Sequence, residues 1–166
     1  MFRVLLSAFL VSSVASQCSY NAGDLSARWQ VVDDKLTVEF INKKIGNNKW
    51  TGIGFGATMA DLEVVLVKVE DNKPTAVTGH TSGYEAPTLD KSANVSPQLL
   101  SLNNNQLTFR FTRPLSANGD RKHSLEECQN WSFVKEGLLN GDEIAPHTSL
   151  PFVKKICPDK CKDIVL

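Results

Sequence analysis

The sequence predicts an all-β protein, a β-sandwich of roughly eight to ten strands with long loops. Three observations point there: short segments alternate apolar and polar residues, turn-forming residues separate them at short intervals, and no amphipathic helical pattern outlasts about two turns. With 166 residues, 42% of them hydrophobic and 22% charged, the chain has room for one ordinary domain with a real core. Lys+Arg and Asp+Glu balance at 18 each without a basic cluster, which removes the electrostatic footprint that nucleic acid or an anionic membrane requires.

Arg3 precedes the apolar stretch from Val4 to Val11, and the small residues Ser12-Ser13-Val14-Ala15-Ser16 follow, the order of a secretory signal peptide. Cleavage is expected after Ser16, leaving a single domain with its C-terminal tail over residues 17–166. The apolar run is shorter than the roughly 20 residues of a spanning helix. No other segment approaches that length, so a secreted, extracellular protein without a membrane span is expected.

Ala27 to Val32 and Leu36 to Ile41 read as half-buried strands of a hairpin turning at Asp33-Asp34-Lys35. Gly46-Asn47-Asn48 turns into a strand from Trp50 to Phe55. Leu62 to Val69 is the most apolar and β-branched run and is expected to cross the centre of a core. Asp71-Asn72-Lys73 turns back into Thr75-Ala76-Val77, and Thr78 to Pro97 reads as long loops around short strands. Gln106 to Thr112 alternates, with Leu107, Phe109 and Phe111 on one face; Trp131 to Val134 is a further strand and Gly137 to Asp142 a turn.

The four cysteines, Cys18, Cys128, Cys157 and Cys161, form an even set that in an exported protein reads as two disulfides. Three pairings are open, and at least one bridge should tie the N-terminal end to the C-terminal third. The three-residue spacer between Cys157 and Cys161 fits neither a redox C-x-x-C pair nor c-type haem attachment, and a zinc site lacks a second ligand pair. Asn94-Val95-Ser96 and Asn130-Trp131-Ser132 are glycosylation sequons, of which Asn94, in a polar stretch, is the favoured acceptor.

No phosphate-binding loop, H-E-x-x-H helix or G-x-S-x-G elbow is present, and the acidic residues are scattered, so the chain is not expected to be an enzyme by itself. Gly52-Ile53-Gly54-Phe55-Gly56 reads as a strand with close backbone approach. Beyond the leader, Met59 is the remaining methionine, beside three histidines, His80, His123 and His147. A thioether at the edge of a core either fills an irregular gap or, paired with a histidine, serves as an axial ligand of haem iron. His147, in a loop stiffened by Pro146, is the better partner; His80 in a polar loop and His123 in the charged run from Asp120 read as solvated.

Trp29, the Trp50 to Gly56 strand, Met59-Ala60-Asp61 leading into Leu62-Glu63-Val64-Val65, Gly83-Tyr84 with Pro87 and Asp90, Phe109-Arg110-Phe111 before Arg113-Pro114-Leu115, and the late His147 together resemble a DOMON domain. The flanking cysteines and the tail from Ser149 to Cys161 look like the small secreted single-DOMON proteins of nematodes. The resemblance implies an immunoglobulin-like sandwich with a ligand pocket, which in different members holds haem b or is thought to bind sugars. It places Met59 and His147 at the axial-ligand positions of the haem iron and suggests Trp50, Phe55 and Trp131 as pocket walls. The flavin, membrane-cytochrome and copper-binding domains fused to some relatives have no counterpart, so electron transfer would need a separate redox partner. The expected function is a haem-binding or electron-transfer module. The alternatives are a carbohydrate-binding module in which Tyr84 and Trp50 stack on a sugar face, or an adhesion domain without a small ligand.

Overall fold

The computed structural model describes residues 18–162; the expected signal peptide lies outside them. Among the described residues twelve strands form two antiparallel sheets. The five-stranded sheet has the order β1 (Ser19–Ala22), β2 (Leu25–Val32), β3 (Lys35–Asn42), β9 (Gln106–Pro114), β8 (Ser96–Asn103). The seven-stranded sheet has the order β11 (Glu143–His147), β10 (Gln129–Asn140), β4 (Lys49–Phe55), β5 (Glu63–Glu70), β6 (Lys73–His80), β7 (Thr88–Leu89), with β12 (Phe152–Ile156) also paired to β10. The count exceeds the expected eight to ten because β1, β7, β8, β11 and β12 are edge or near-edge strands, short or half-exposed, whose alternation is weak.

The tight hairpins have a local cause. Asp33-Asp34, Asp71-Asn72 and Asn104-Asn105 take left-handed backbone angles, φ 49° to 63°, between β2 and β3, β5 and β6, and β8 and β9. Both central residues of a two-residue turn that matches strand twist need positive φ, and Asp and Asn tolerate it best after glycine.

Between the sheets Trp29, Val38, Phe40, Phe109 and Phe111 meet Ile53, Phe55, Val65, Val67, Trp131 and Phe133. The β5 run is apolar on both faces because both are covered: Val65, Val67 and Val69 point into the sandwich, while Val64 and Leu66 join a second cluster on the outer face of the seven-stranded sheet. That outer cluster carries the candidate site.

Two disulfides close the fold, Cys18 to Cys161 and Cys128 to Cys157. They fit an oxidising compartment. Among the described residues no helix is long and apolar enough to cross a membrane. Of the sequon residues, Asn94 donates from Nδ2 to Asp90 Oδ2 at 3.1 Å while its Oδ1 is buried without a partner, and Asn130 is half-buried on β10 opposite Lys155.

On the outer face of the five-stranded sheet the register aligns Arg28, Glu39 and Arg110 across β2, β3 and β9, and both arginines bond the Glu39 carboxylate. Burial works against the charge, but these hydrogen bonds outweigh it and hold the Glu39 carboxyl below its ordinary 4.5. A carboxyl lowered by folding stabilises above its unfolded value and loses that contribution as pH falls through the folded one. Glu39→Gln is therefore expected to lower the denaturation midpoint at about pH 7 and to narrow its gap from the parent at about pH 3.

Candidate functional site

On β4, Thr51, Ile53 and Phe55 face the sandwich, which turns Trp50, Gly52 and Gly54 to the outer face. Neighbouring strands follow the same parity: Val64 and Leu66 on β5 and Ser132 and Val134 on β10 surround Gly54 on that side. Between Val134 and Gly137 the β10 register against β4 slips by one residue, a bulge. Its freed carbonyls are taken up from inside, Thr51 Oγ1 donating to Val134 O at 2.6 Å and Asn42 Nδ2 to Lys135 O at 2.7 Å. The extra residue resets the parity, so Gly137 and not Glu136 lies under Trp50. A Cβ on Gly137 would stand 2.2 Å from Trp50 Nε1, so only glycine lets the indole lie flat there.

Trp50, 6% exposed, donates from Nε1 to Ala145 O at 2.8 Å, which fixes β11 against the sheet. The result is a cavity of about 330 Å³ on the outer sheet face, floored by Gly54, Leu66 and Val134 and walled by Trp50, Leu62 and Ile144. Its volume lies near the lower end of the roughly 300–1,000 Å³ of small-molecule sites. The polar side chains on its lining are few: Thr81, Tyr84, Glu85, Ser132 and His147. The Thr81 hydroxyl already accepts from Leu62 N at 2.9 Å. No lysine or arginine of the described residues lines the cavity. Tyr84 and Leu150, each 86% exposed, form its rim.

Met59 and His147 both line this cavity. Met59 opens the 3-10 turn Met59–Asp61 that follows the Phe55 end of β4. His147 closes β11, where it pairs with Gly137, itself paired with Trp50 at the other end of β4. The thioether and the imidazole thus approach the cavity from opposite ends of the sheet. Pro146 is tolerated in β11 because that strand is a sheet edge.

Phe55 and Trp131 do not line the cavity. Both are fully buried between the sheets, their ring centroids 4.9 Å apart, with Trp29 at 5.3 Å from Trp131. Their parity decides this, since Phe55 is five residues from Trp50 and points to the opposite face. The segment expected to be a turn from Gly137 to Asp142 is instead strand as far as Asn140, and it supplies Leu139 to the outer cluster. His123, read as solvated, is bonded: its Nε2 lies 2.9 Å from Asp61 O.

Below the Met59 turn sits a buried ion pair. Arg113 Nη1 donates to Glu63 Oε1 at 2.6 Å, with both side chains 0% exposed, and the guanidinium lies 5.8 Å from the centre of the Phe55 ring. Burial pushes the Glu63 carboxyl up and the Arg113 guanidinium down, each partly offset by the other's charge. No cluster of three or more His, Cys, Asp or Glu side chains that could hold a metal ion occurs among the described residues. Besides the exposed Glu85 carboxylate, the side chains on the cavity lining that could ligate a metal are the Met59 thioether and the His147 imidazole, both softer donors than a carboxylate.

The two-sheet antiparallel sandwich is a fold shared with solved cytochrome domains of two dehydrogenases. The cytochrome domain of cellobiose dehydrogenase from Myriococcum thermophilum superposes with a TM-score of 0.64 over 87% of this chain and 85% of that one, at 9% identity. The cytochrome b domain of pyranose dehydrogenase from Coprinopsis cinerea follows with a TM-score of 0.57 over 80% and 76%, at 11% identity. The DOMON domain profile matches residues 21–137, and the chain belongs to the DOMON family. A DOMON domain-containing protein of Caenorhabditis elegans is 33% identical over 97% of this chain and 99% of its own length. Another, of Caenorhabditis briggsae, is 27% identical over 95% and 96%.

Proposed function

We propose that the chain is a secreted haem b-binding module that passes electrons to or from a separate partner, with Met59 and His147 as the axial ligands. One observation carries the reading: the soft donors Met59 and His147 line one apolar cavity and reach it from opposite ends. The family membership and the cytochrome-domain fold support it.

The residues present suit such a group. Gly54 keeps the floor bare, and a Cβ there would already press Leu62 Cδ1 at 3.0 Å. Trp50, Leu62, Leu66 and Val134 supply flat apolar contact and exclude water. Bound haem supplies reversible one-electron chemistry, and a Met/His ligand pair raises its potential. The chain's part is to hold the two ligands in place and keep the surroundings dry, which sets that potential further. A carbohydrate module would need polar groups converging on the stacked ring, whereas Trp50 Nε1 and the Thr81 hydroxyl are already bonded within the protein.

Titration of residues 17–166 with haem, followed by absorption in both redox states, tests this. The expected result is stoichiometric uptake and a low-spin, six-coordinate spectrum. Met59→Leu and His147→Ala are each expected to turn it five-coordinate and to weaken binding by at least about tenfold. Uptake that never saturates, or variants with the parent's spectrum, would overturn the ligand assignment.

A further inference from the structure

We propose that His123 is a positioning residue for Met59, clamping the turn that presents the thioether while the buried Glu63–Arg113 pair clamps His123. The ligand half of this proposal rests on the haem reading above; the mechanical half does not.

The Met59–Asp61 turn cannot hold itself. It spans three residues, its N-cap Thr58 makes no side-chain capping bond, and the turn's own hydrogen bond is Asp61 N to Thr58 O at 3.1 Å. So short a 3-10 segment depends on outside contacts. On one side Thr81 grips the following residue twice, its Oγ1 accepting from Leu62 N and its own N–H donating to Leu62 O, both at 2.9 Å. On the other side stands His123. Since Asp61 O can only accept, the His123 Nε2 at 2.9 Å carries the proton and donates.

His123 comes from a loop with no other claim on this position, and it is fixed there through its backbone. Its N–H donates to Glu63 Oε2 at 3.2 Å and its C=O accepts from Arg113 Nη2 at 2.8 Å. Glu63 lies two residues past Asp61, so the bonds form a closed ring: Asp61 carbonyl, His123 imidazole, His123 backbone, Arg113, Glu63 and back along the chain. This gives the buried pair a purpose. Apolar side chains of the same volume would pack this corner at less desolvation cost, but they could not bond both backbone groups of His123. Gly56 completes the fit, because a Cβ there would lie 2.4 Å from Asp61 O and 3.2 Å from His123 Nε2.

Two measurements on His123→Ala and His123→Gln test the proposal. In the haem-free chain, amide hydrogen exchange at Asp61 and Leu62 is expected to quicken by about tenfold in His123→Ala, with the amides of β3 and β9 unchanged. His123→Gln, whose side-chain amide can donate to the same carbonyl, is expected to restore protection. In the haem-loaded chain His123→Ala should shift the spectrum toward the five-coordinate form of Met59→Leu, and His123→Gln should bring it back. Unchanged exchange at Asp61 and Leu62, an equal rise in β3 and β9, or no rescue by glutamine overturns the clamp. If exchange responds but the spectrum of a haem-loaded His123→Ala stays that of the parent, the link to Met59 is overturned. A parent chain that takes up no haem overturns the cavity reading, and exchange then decides the clamp alone.

Discussion

Replacing Cys18 and Cys161 together by alanine is expected to cost about 5 kcal/mol of folding stability, and removing Cys128 and Cys157 about 3.5 kcal/mol. The difference follows from loop size, since the first bridge spans 143 residues and the second 29. Their surroundings act in the same direction. Cys18 and Cys161 are buried in the main core, where Cys18 O accepts from Trp29 N at 2.9 Å and Val31 bridges to Lys162. Cys128 is exposed. Against a total stability of roughly 5–15 kcal/mol for a domain, the first loss approaches unfolding. Guanidinium denaturation of each pair variant measures it; a larger loss for Cys128 and Cys157 would contradict the ordering.

Arg113→Met is expected to cost about 3–5 kcal/mol, because it strands a carboxylate in the core. The Glu63 side chain has no exposed surface, and besides Arg113 it is bonded by the His123 N–H. Burial already pushes the Glu63 carboxyl above its ordinary 4.5 with the guanidinium present. Without it the rise is larger. A group whose folded value is raised favours the fold below its unfolded value and penalises it as pH climbs through the folded one. The deficit of Arg113→Met should therefore be greatest at neutral pH and shrink on acidification. Glu63→Leu with Arg113→Met is expected to recover most of the loss, since no charge is left buried. Denaturation midpoints of the two variants across pH check both statements; a deficit that grows on acidification would contradict the assignment.

Much of the architecture was legible in local chemistry. The paired Asp and Asn turns specified the hairpins of β2 with β3 and β5 with β6, and the two-sided apolar run of β5 announced a strand covered on both faces. Edge strands were not legible: β8, with Pro97 and half-exposed leucines, and β12, exposed over most of its length, bury too little to impose a pattern. The β10 bulge was hidden because it depends on Asn42 and Thr51 reaching from other strands.

For the site, Met59, His147 and Trp50 all line one cavity. Phe55 and Trp131 were grouped with them by residue type, although strand parity separates Phe55 from Trp50. His123 left no sequence signal, since its ring partner is a backbone carbonyl that any residue would provide.

The claim that matters most is that one cavity on the outer sheet face holds a haem between two named side chains. Anomalous diffraction at the iron edge from crystals of the haem-loaded chain tests it directly. One iron peak per molecule, in the cavity floored by Gly54 and flanked by the Met59 sulfur and the His147 ring, is the expected result. Iron at His80 or His123, or no ordered iron in crystals grown from a stoichiometric complex, would contradict it.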